Sequence, residues 1–478
     1  MIYFVFYILF TKYMTLIKSI SGIRGTIGGK IGNSLSPLDV VKFTLAFGTW
    51  LKNRNNNSSI TIVVGRDARI SGEMINALVV ASLQSIGVTI LYVGLATTPG
   101  VAMTVENENA QGAIILTASH NPKQWNALKL LNERGEFISG KDGEEVLEIA
   151  EEEGFEFVDV DSLGNILKKD TLHTHIQQIL ALSYINKEAI QKANFKIVVD
   201  PINSIGAIAV PALLEALGVM QIKLINSEMH GNFAHNPEPL PEHLHELSTE
   251  VLKQGAHLGI AVDPDVDRLA FICEDGEAFG EEYTLVTVAD YVLSKNKGNT
   301  VSNLSSTRAL QDVTEKAGMQ YYASAVGEVN VVTKMKEVNA IIGGEGNGGI
   351  ILPELHYGRD AMVGIALFLS QLAEYGNTVS MLRASYPNYV ISKNKIELTE
   401  DINIDTLLQK IKEKYEKYPI DTTDGVKIIL EKEWIHLRKS NTEPIIRIYA
   451  ESESLIAANN LAQKIILDSK EIINEMVC

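Results

Sequence analysis

Short apolar runs alternate with longer stretches of helical periodicity along most of the chain. Three segments repeat one pattern: a β-branched run, a polar turn, an apolar-periodic helix and a glycine stop. They are residues 60–88 (ITIVVGRDARISGEMINALVVASLQSIGV), 195–219 (FKIVVDPINSIGAIAVPALLEALGV) and 299–319 (NTVSNLSSTRALQDVTEKAGM). A second strand follows, as in TILYVG and QIKLIN. Each copy reads as a β–α–β unit, and buried strands joined by helices imply α/β layers with covered sheets. Starts at residues 60, 195 and 299 suit three α/β domains. A solenoid would repeat every ~20–50 residues.

The last stretch differs. A helix (IDTLLQKIKEKYEKY), short strands (GVKIILEKE, WIHLRKS, IIRIYAES) and a final helix (SLIAANNLAQKIILDSKEIINEM) predict a small α+β domain with an antiparallel sheet. The expected division is α/β at 14–168, 169–277 and 278–385, then α+β at 386–478. Residues 1–13 stand apart. Their apolar start, MIYFVFYILF, is too short for a bilayer span of ~20 residues. It lacks the basic start and cleavage site of a signal peptide. We expect a non-native extension, with Met14 as the natural start. No other apolar run approaches ~20 residues, which predicts a cytoplasmic protein without a membrane partner.

Composition narrows the function. A length of 478 residues fits about three domains or slightly more. Hydrophobic residues at 46% and charged residues at 21% are those of a globular chain. A net charge of −17 argues against nucleic acid as a partner and leaves room for a local basic pocket. Two cysteines, Cys273 and Cys478, make no disulfide framework and suit a reducing compartment.

Four polar turns carry the candidate chemistry. In GAIILTASHNP (112–122) an apolar strand ends at Ser119 and His120, and Pro122 biases the chain toward an extended loop. Open α/β sheets present ligands at such carboxyl ends. No G-x-S-x-G elbow surrounds the serine, and on the residues alone a Ser-His pair in a turn reads as structural. LGIAVDPDVDRLAFIC (258–273) places Asp263, Asp265 and Asp267 on a turn between two strands. Alternate aspartates can converge on one hard cation, Mg²⁺ adding phosphate oxygens or waters. An EF-hand fails, because Arg268 holds position six, where glycine is needed. GGEGNGG (343–349) offers Glu345 and Asn347 as sugar-hydroxyl partners and lacks the P-loop ending. RKSNTEPIIRIY (438–449) gathers Arg438, Ser440, Asn441, Thr442 and Arg447 as oxyanion donors. Arg24, Arg66, Arg69 and Lys129 add cations on or near glycine-bracketed turns. Structural ion pairing is the alternative, most plainly for Arg66 beside Asp67.

TASHNP, DPDVDR, GGEGNGG and RKSNTEPIIR, in that order and one per inferred domain, together resemble the α-D-phosphohexomutase superfamily. SGIRG, GRDARISG and HYGRD fit as well, so the resemblance covers nearly the whole chain from Met14. It implies four domains around a central cleft, three α/β and one antiparallel α+β. It implies that Ser119 is a phosphoserine, and that Asp263, Asp265 and Asp267 hold one Mg²⁺ together with the Ser119 phosphate. Arg24, His120, Lys129 and Arg268 then surround the transferring phosphoryl. Glu345 and Asn347 meet sugar hydroxyls, and the Arg438–Ser440–Asn441–Thr442–Arg447 set grips the non-reacting phosphate. The partner is a hexose phosphate, with a hexose 1,6-bisphosphate as intermediate and activator, in a monomer or homodimer.

Two departures stand out. Many relatives carry Ser and His in the sugar loop where Asn347 and Gly349 stand here, which leaves His356 as a substitute base. Pro264 replaces a common glycine. The GEGNGG and DPD forms resemble the archaeal-type phosphoglucosamine mutase branch, implying interconversion of glucosamine 6- and 1-phosphate. The rivals are a phosphomannomutase/phosphoglucomutase, a non-catalytic sugar-phosphate sensor and a phosphatase.

Overall fold

In all three repeats the β-branched run forms a parallel strand and the periodic stretch forms the helix that follows it. The computed structural model describes residues 15–19, 22–56, 59–398, 402–440 and 445–477. The expected extension at 1–13 lies outside them. In the second copy, strand Lys196–Asp200 leads through helix Gly206–Leu217 to strand Gln221–Leu224. Helix His245–Gln254 and a third strand, Leu258–Val262, follow, and the chain returns antiparallel as Leu269–Cys273. Across the sheet the order is fourth, third, first, second. The third copy repeats that order with Asn299–Asn303, Tyr321–Ser324, Ala340–Glu345 and antiparallel Gly349–Ile351. The first repeats it with Thr61–Arg66, Thr89–Leu95, Gly112–Leu116 and antiparallel Trp125–Leu131. Ile17–Ser19 and Gly22–Thr26 extend this sheet at one edge and Ile166–Lys168 at the other.

This shared topology positions the site. In each copy the chain reverses between the third strand and the antiparallel fourth, where TASHNP, DPDVDR and GEGNGG lie. The periodicity exposes the first β–α–β unit of each repeat; the sheet order shows that the unit continues to an equivalent corner.

The fourth unit is a five-stranded antiparallel sheet. Helices Ile404–Lys414 and Leu455–Val477 cover it, with Leu407, Ile411, Ala462 and Ile465 packed against Ile428, Ile435, Ile446 and Ile448. Among the described residues no helix is long and apolar enough to cross a membrane.

The second and third units share one core. Helix Ala361–Tyr375 is buried from Ala361 through Leu372. A helix apolar all round must be enclosed on every side. Phe368 stacks on Phe271 with centroids 3.8 Å apart and meets Phe279 edge-on at 5.2 Å. Phe368→Ala empties the middle of this joint core and is expected to cost about 3–5 kcal/mol in chemical denaturation. A loss under about 1 kcal/mol would show that the joint core does not depend on that stack.

Candidate active site

The serine loop is held from behind by an arginine. Ser119 is buried and adopts a left-handed backbone, φ +47°. Its N–H donates to Thr117 Oγ1 at 2.9 Å, whose hydroxyl donates to Asp67 Oδ2 at 2.6 Å. Arg69, 1% exposed, pairs with Asp67 at 3.1 Å. Its Nη2 donates to the carbonyls of Ser119 and, at 2.6 Å, Asn121. Its Nη1 donates to those of Pro122 and Trp125 at 2.9 and 3.0 Å. The sequence groups Arg69 with the anion-binding cations; the structure spends its donors on the loop. The hydroxyl is left facing the metal turn, with Ser119 Oγ 2.6 Å from Asp263 Oδ2 and His120 Nδ1 3.4 Å from Oγ. Burial, then the Arg268 charge, holds the His120 imidazole well below its usual range, so the ring is neutral near pH 7.

Asp263, Asp265 and Asp267 are each fully buried, and ligand oxygens from the three lie within 4.8 Å of one another. Val266 between them has φ +62°, strained for a β-branched residue. Asp263 Oδ1 accepts the N–H groups of Asp267 and Arg268, both at 3.0 Å. Asp265 Oδ2 accepts from Lys129 Nζ at 2.6 Å and Thr98 Oγ1 at 2.5 Å. Asp267 Oδ2 lies 3.3 Å from Lys129 Nζ and 2.7 Å from Arg359 Nη2. Asp265 Oδ1 and Asp267 Oδ1 are buried, with no hydrogen-bond partner among the described residues. Burial, then the charges of Asp267 and Asp265, pushes the Asp263 carboxyl well above its usual range. Burial opposes ionisation of Asp267 too, yet Arg359, Lys129 and Arg268 hold it below its usual range. Orphaned carboxylate oxygens in an all-oxygen, charge-crowded corner fit a hard divalent cation such as Mg²⁺.

A cleft of about 430 Å³ opens beside this corner. Arg24, Ser119, His120 and Lys129 of the first unit line it, with Arg268 of the second and Glu328, Glu345 and Arg359 of the third. That volume suits a small ligand. Glu345 ends its strand with Oε1 accepting from Asn303 Nδ2 at 3.0 Å and from Gly327 N–H at 3.2 Å. Asn347 Oδ1 accepts the Gly349 N–H at 3.2 Å, closing the turn between the two strands. A Cβ on Gly346 would lie 2.0 Å from Glu282 Oε2, so a side chain there would displace the Glu282 carboxylate. Arg268 Nη1 pairs with Glu238 at 2.9 Å.

In the fourth unit, Arg438 and Arg447 stand directly opposite each other on adjacent antiparallel strands. Like charges in that relation repel unless an anion joins them. Among the described residues neither has a carboxylate within ion-pair distance; of the charges that act on Arg438, Asp424 acts most strongly, ahead of Arg447 and Glu345. Ser440 N–H donates to the Ile445 carbonyl at 3.0 Å. Asn441 and Thr442 lie outside the described residues.

This layout matches what known proteins share with the chain. Family models described as phosphoglucomutase/phosphomannomutase alpha/beta/alpha domains I, II and III match residues 16–157, 173–276 and 280–389. The model of the C-terminal domain matches 395–467. The chain belongs to the α-D-phosphohexomutase superfamily. Phosphohexomutases are isomerases that move phosphate within a sugar, and this chain is one. It is 36% identical to a phosphoglucomutase/phosphomannomutase of Thermococcus kodakarensis, over 90% of this chain and 94% of that one. It is 33% identical to a phosphoglucosamine/phosphogalactosamine mutase of Sulfurisphaera tokodaii, over 93% and 97%. A phosphoglucomutase/phosphomannomutase family protein of Burkholderia thailandensis superposes with TM-score 0.81 at 24% identity, covering 96% of each chain.

The structure draws Ser119, His120, Lys129, Arg24, Arg268, Glu345 and the three aspartates of this phosphohexomutase to one cleft and its adjoining corner. It does not bring His356 there. His356 Nε2 lies 3.3 Å from Asp360 Oδ2, a carboxylate that His175 also meets at 2.8 Å. Sequence reasoning assigned no role to Thr98, Glu238, Glu328 or Arg359. Of these only Arg359 stands in a quoted motif, HYGRD.

Arg69→Met strips the buried Asp67 carboxylate of its cation and unseats the serine loop. Denaturation should show a loss of about 3–5 kcal/mol, and a near-neutral result would contradict the assigned role. Glu282 gives a pH signature. Its Oε2 accepts the Thr307 N–H at 2.9 Å, and burial pushes its carboxyl up to about 8. Between the unfolded carboxyl range near ~4.3 and that value, the native state keeps a proton that the unfolded chain has released. Stability from this group is therefore full at low pH and falls as pH rises to about 8. In Glu282→Gln, the melting temperature should decline less steeply than in the parent from about pH 5 to 8. Equal slopes would refute this.

Proposed function

We propose that this phosphohexomutase interconverts glucosamine 6-phosphate and glucosamine 1-phosphate through a phosphoserine at Ser119 and a hexose 1,6-bisphosphate. The observation that carries the mechanism is Ser119 Oγ, 2.6 Å from Asp263, beside two unpartnered aspartate oxygens and Lys129. On this reading, phospho-Ser119 passes its phosphoryl to the free hydroxyl of the hexose monophosphate. The bond from phosphorus to Oγ breaks as the bond to the sugar oxygen forms. The bisphosphate turns end for end and returns its other phosphoryl to Ser119. Mg²⁺, held by Asp263, Asp265 and Asp267, would neutralise the phosphoryl oxygens. Lys129, Arg24 and Arg268 add fixed positive charge around them, and neutral His120 offers a ring nitrogen beside Oγ. Glu345 and Asn347 meet the sugar hydroxyls. Arg438, Ser440, Asn441, Thr442 and Arg447 hold the distal phosphate, which supports either orientation of the bisphosphate. The same reading divides the chain after residues 168, 277 and 385.

Support for the amino sugar comes from the Sulfurisphaera tokodaii relative. The Thermococcus kodakarensis relative favours a second reading, glucose or mannose phosphate. Comparing kcat/KM on glucosamine, glucose and mannose phosphates, with a trace of hexose 1,6-bisphosphate, separates them. We expect glucosamine phosphate to be preferred; a clear preference for mannose 1-phosphate would overturn the choice of sugar. Intact-mass measurement should find one exchangeable phosphate, lost in Ser119→Ala. A stable absence of that label would overturn the mechanism itself.

A further inference from the structure

The sugar loop has room where a side chain is expected, and an arginine from outside the loop fills it. A Cβ on Gly349 would stand 2.4 Å from Arg359 Cδ and 3.0 Å from its Cγ. Gly349 precedes Ile350 in a buried strand, and no left-handed backbone requires glycine there. The reason for glycine is therefore the arginine. Arg359 is 9% exposed, and its guanidinium is divided among three carboxylates from three places in the fold. Nη2 donates to Asp267 Oδ2 on the metal turn at 2.7 Å. Nη1 donates to Glu345 Oε2 at the sugar turn at 3.0 Å. Nε lies 2.9 Å from Glu328 Oε2, an ion pair without hydrogen-bond alignment, at the first turn of helix Glu328–Glu337. Asp360, next in the chain, caps helix Ala361–Tyr375 by accepting the N–H groups of Met362 and Val363. It also receives His175 and His356. The backbone that carries Arg359 is thus pinned to the core shared by the second and third units.

We propose that Arg359 is a positioning residue for phosphoryl transfer, fixing Asp267 of the metal turn and Glu345 of the sugar turn in one relation, and that Gly349 is glycine to admit it. A planar guanidinium can donate to two carboxylates along two directions at once, which a lysine ammonium on a flexible stem does less well. His356 is engaged on Asp360. Arg359 holds the acceptors in register instead of moving a proton. The inference rests on phosphohexomutase chemistry and holds for whichever hexose phosphate is preferred.

The test uses the full-length enzyme with its best hexose phosphate. Arg359→Met is expected to lower kcat by about 10²-fold, while KM stays within about threefold because the distal phosphate is gripped elsewhere. Mg²⁺ affinity by calorimetry should hold or tighten, since a neighbouring cation has been removed. Arg359→Lys should restore part of kcat. A kcat within about threefold of the parent would overturn the proposal. So would a fall in Mg²⁺ affinity in step with kcat, which would make Arg359 a prop for the metal site alone. Should Arg359→Met not fold, Gly349→Ala decides the steric half. It should lower the melting temperature in the parent and less in an Arg359→Lys background, which keeps Cγ and Cδ but, without the forked guanidinium, leaves the stem freer to swing away from the added Cβ. Equal losses would overturn it. Phosphoserine exchange that persists at Ser119 while sugar turnover falls keeps a failure here distinct from a failure of the mutase mechanism.

Discussion

Three carboxylates buried together are the constraint around which the molecule is arranged. Two unit charges ~4 Å apart at an effective dielectric of ~20 repel by about 4 kcal/mol, against a whole-domain stability of about 5–15. Such a corner needs positive charge from outside its own turn. Lys129 comes from the first unit and Arg359 from beyond the third unit's sheet, and each reaches Asp267. Thr98 of the first unit adds a hydroxyl to Asp265. The compensation is drawn from two neighbouring units, so the electrostatics of the metal turn also dock those units against the second. A divalent cation would complete the balance that these groups begin.

Much of this was legible in the chain. Hydrophobic periodicity exposes three β–α–β starts and an unlike tail, because buried strands and amphipathic helices write themselves locally. The aspartate turn is legible because carboxylates at alternate positions have few structural explanations, whereas glycines around a lone acid would suit a flexible turn equally well. What stays hidden is long-range. Arg69 looks like a substrate cation on its glycine-bracketed turn, and only the fold shows that its donors end on carbonyls some fifty residues away. Arg359 and Asp267 are 92 residues apart, and nothing local links them. His356 meets a helix-capping aspartate, a contact that only the packing reveals.

The net charge of −17 and the fourth unit's arginine pair are compatible for the same reason. Long-range attraction of an anion is weak at an acidic surface, so capture depends on short-range, directional donors. Two arginines held opposite each other by strand register offer such donors, and Asp424 offsets part of their mutual repulsion.

The repeated sheet order has a consequence of its own. One backbone plan, executed three times, presents its reversal at the same corner each time, yet the three corners hold a serine hydroxyl, three clustered carboxylates and a glutamate among glycines. Scaffold and chemistry are therefore separable. A change confined to one corner leaves the strands beneath it untouched, and the specificity of such a molecule can diverge corner by corner without renegotiating its fold.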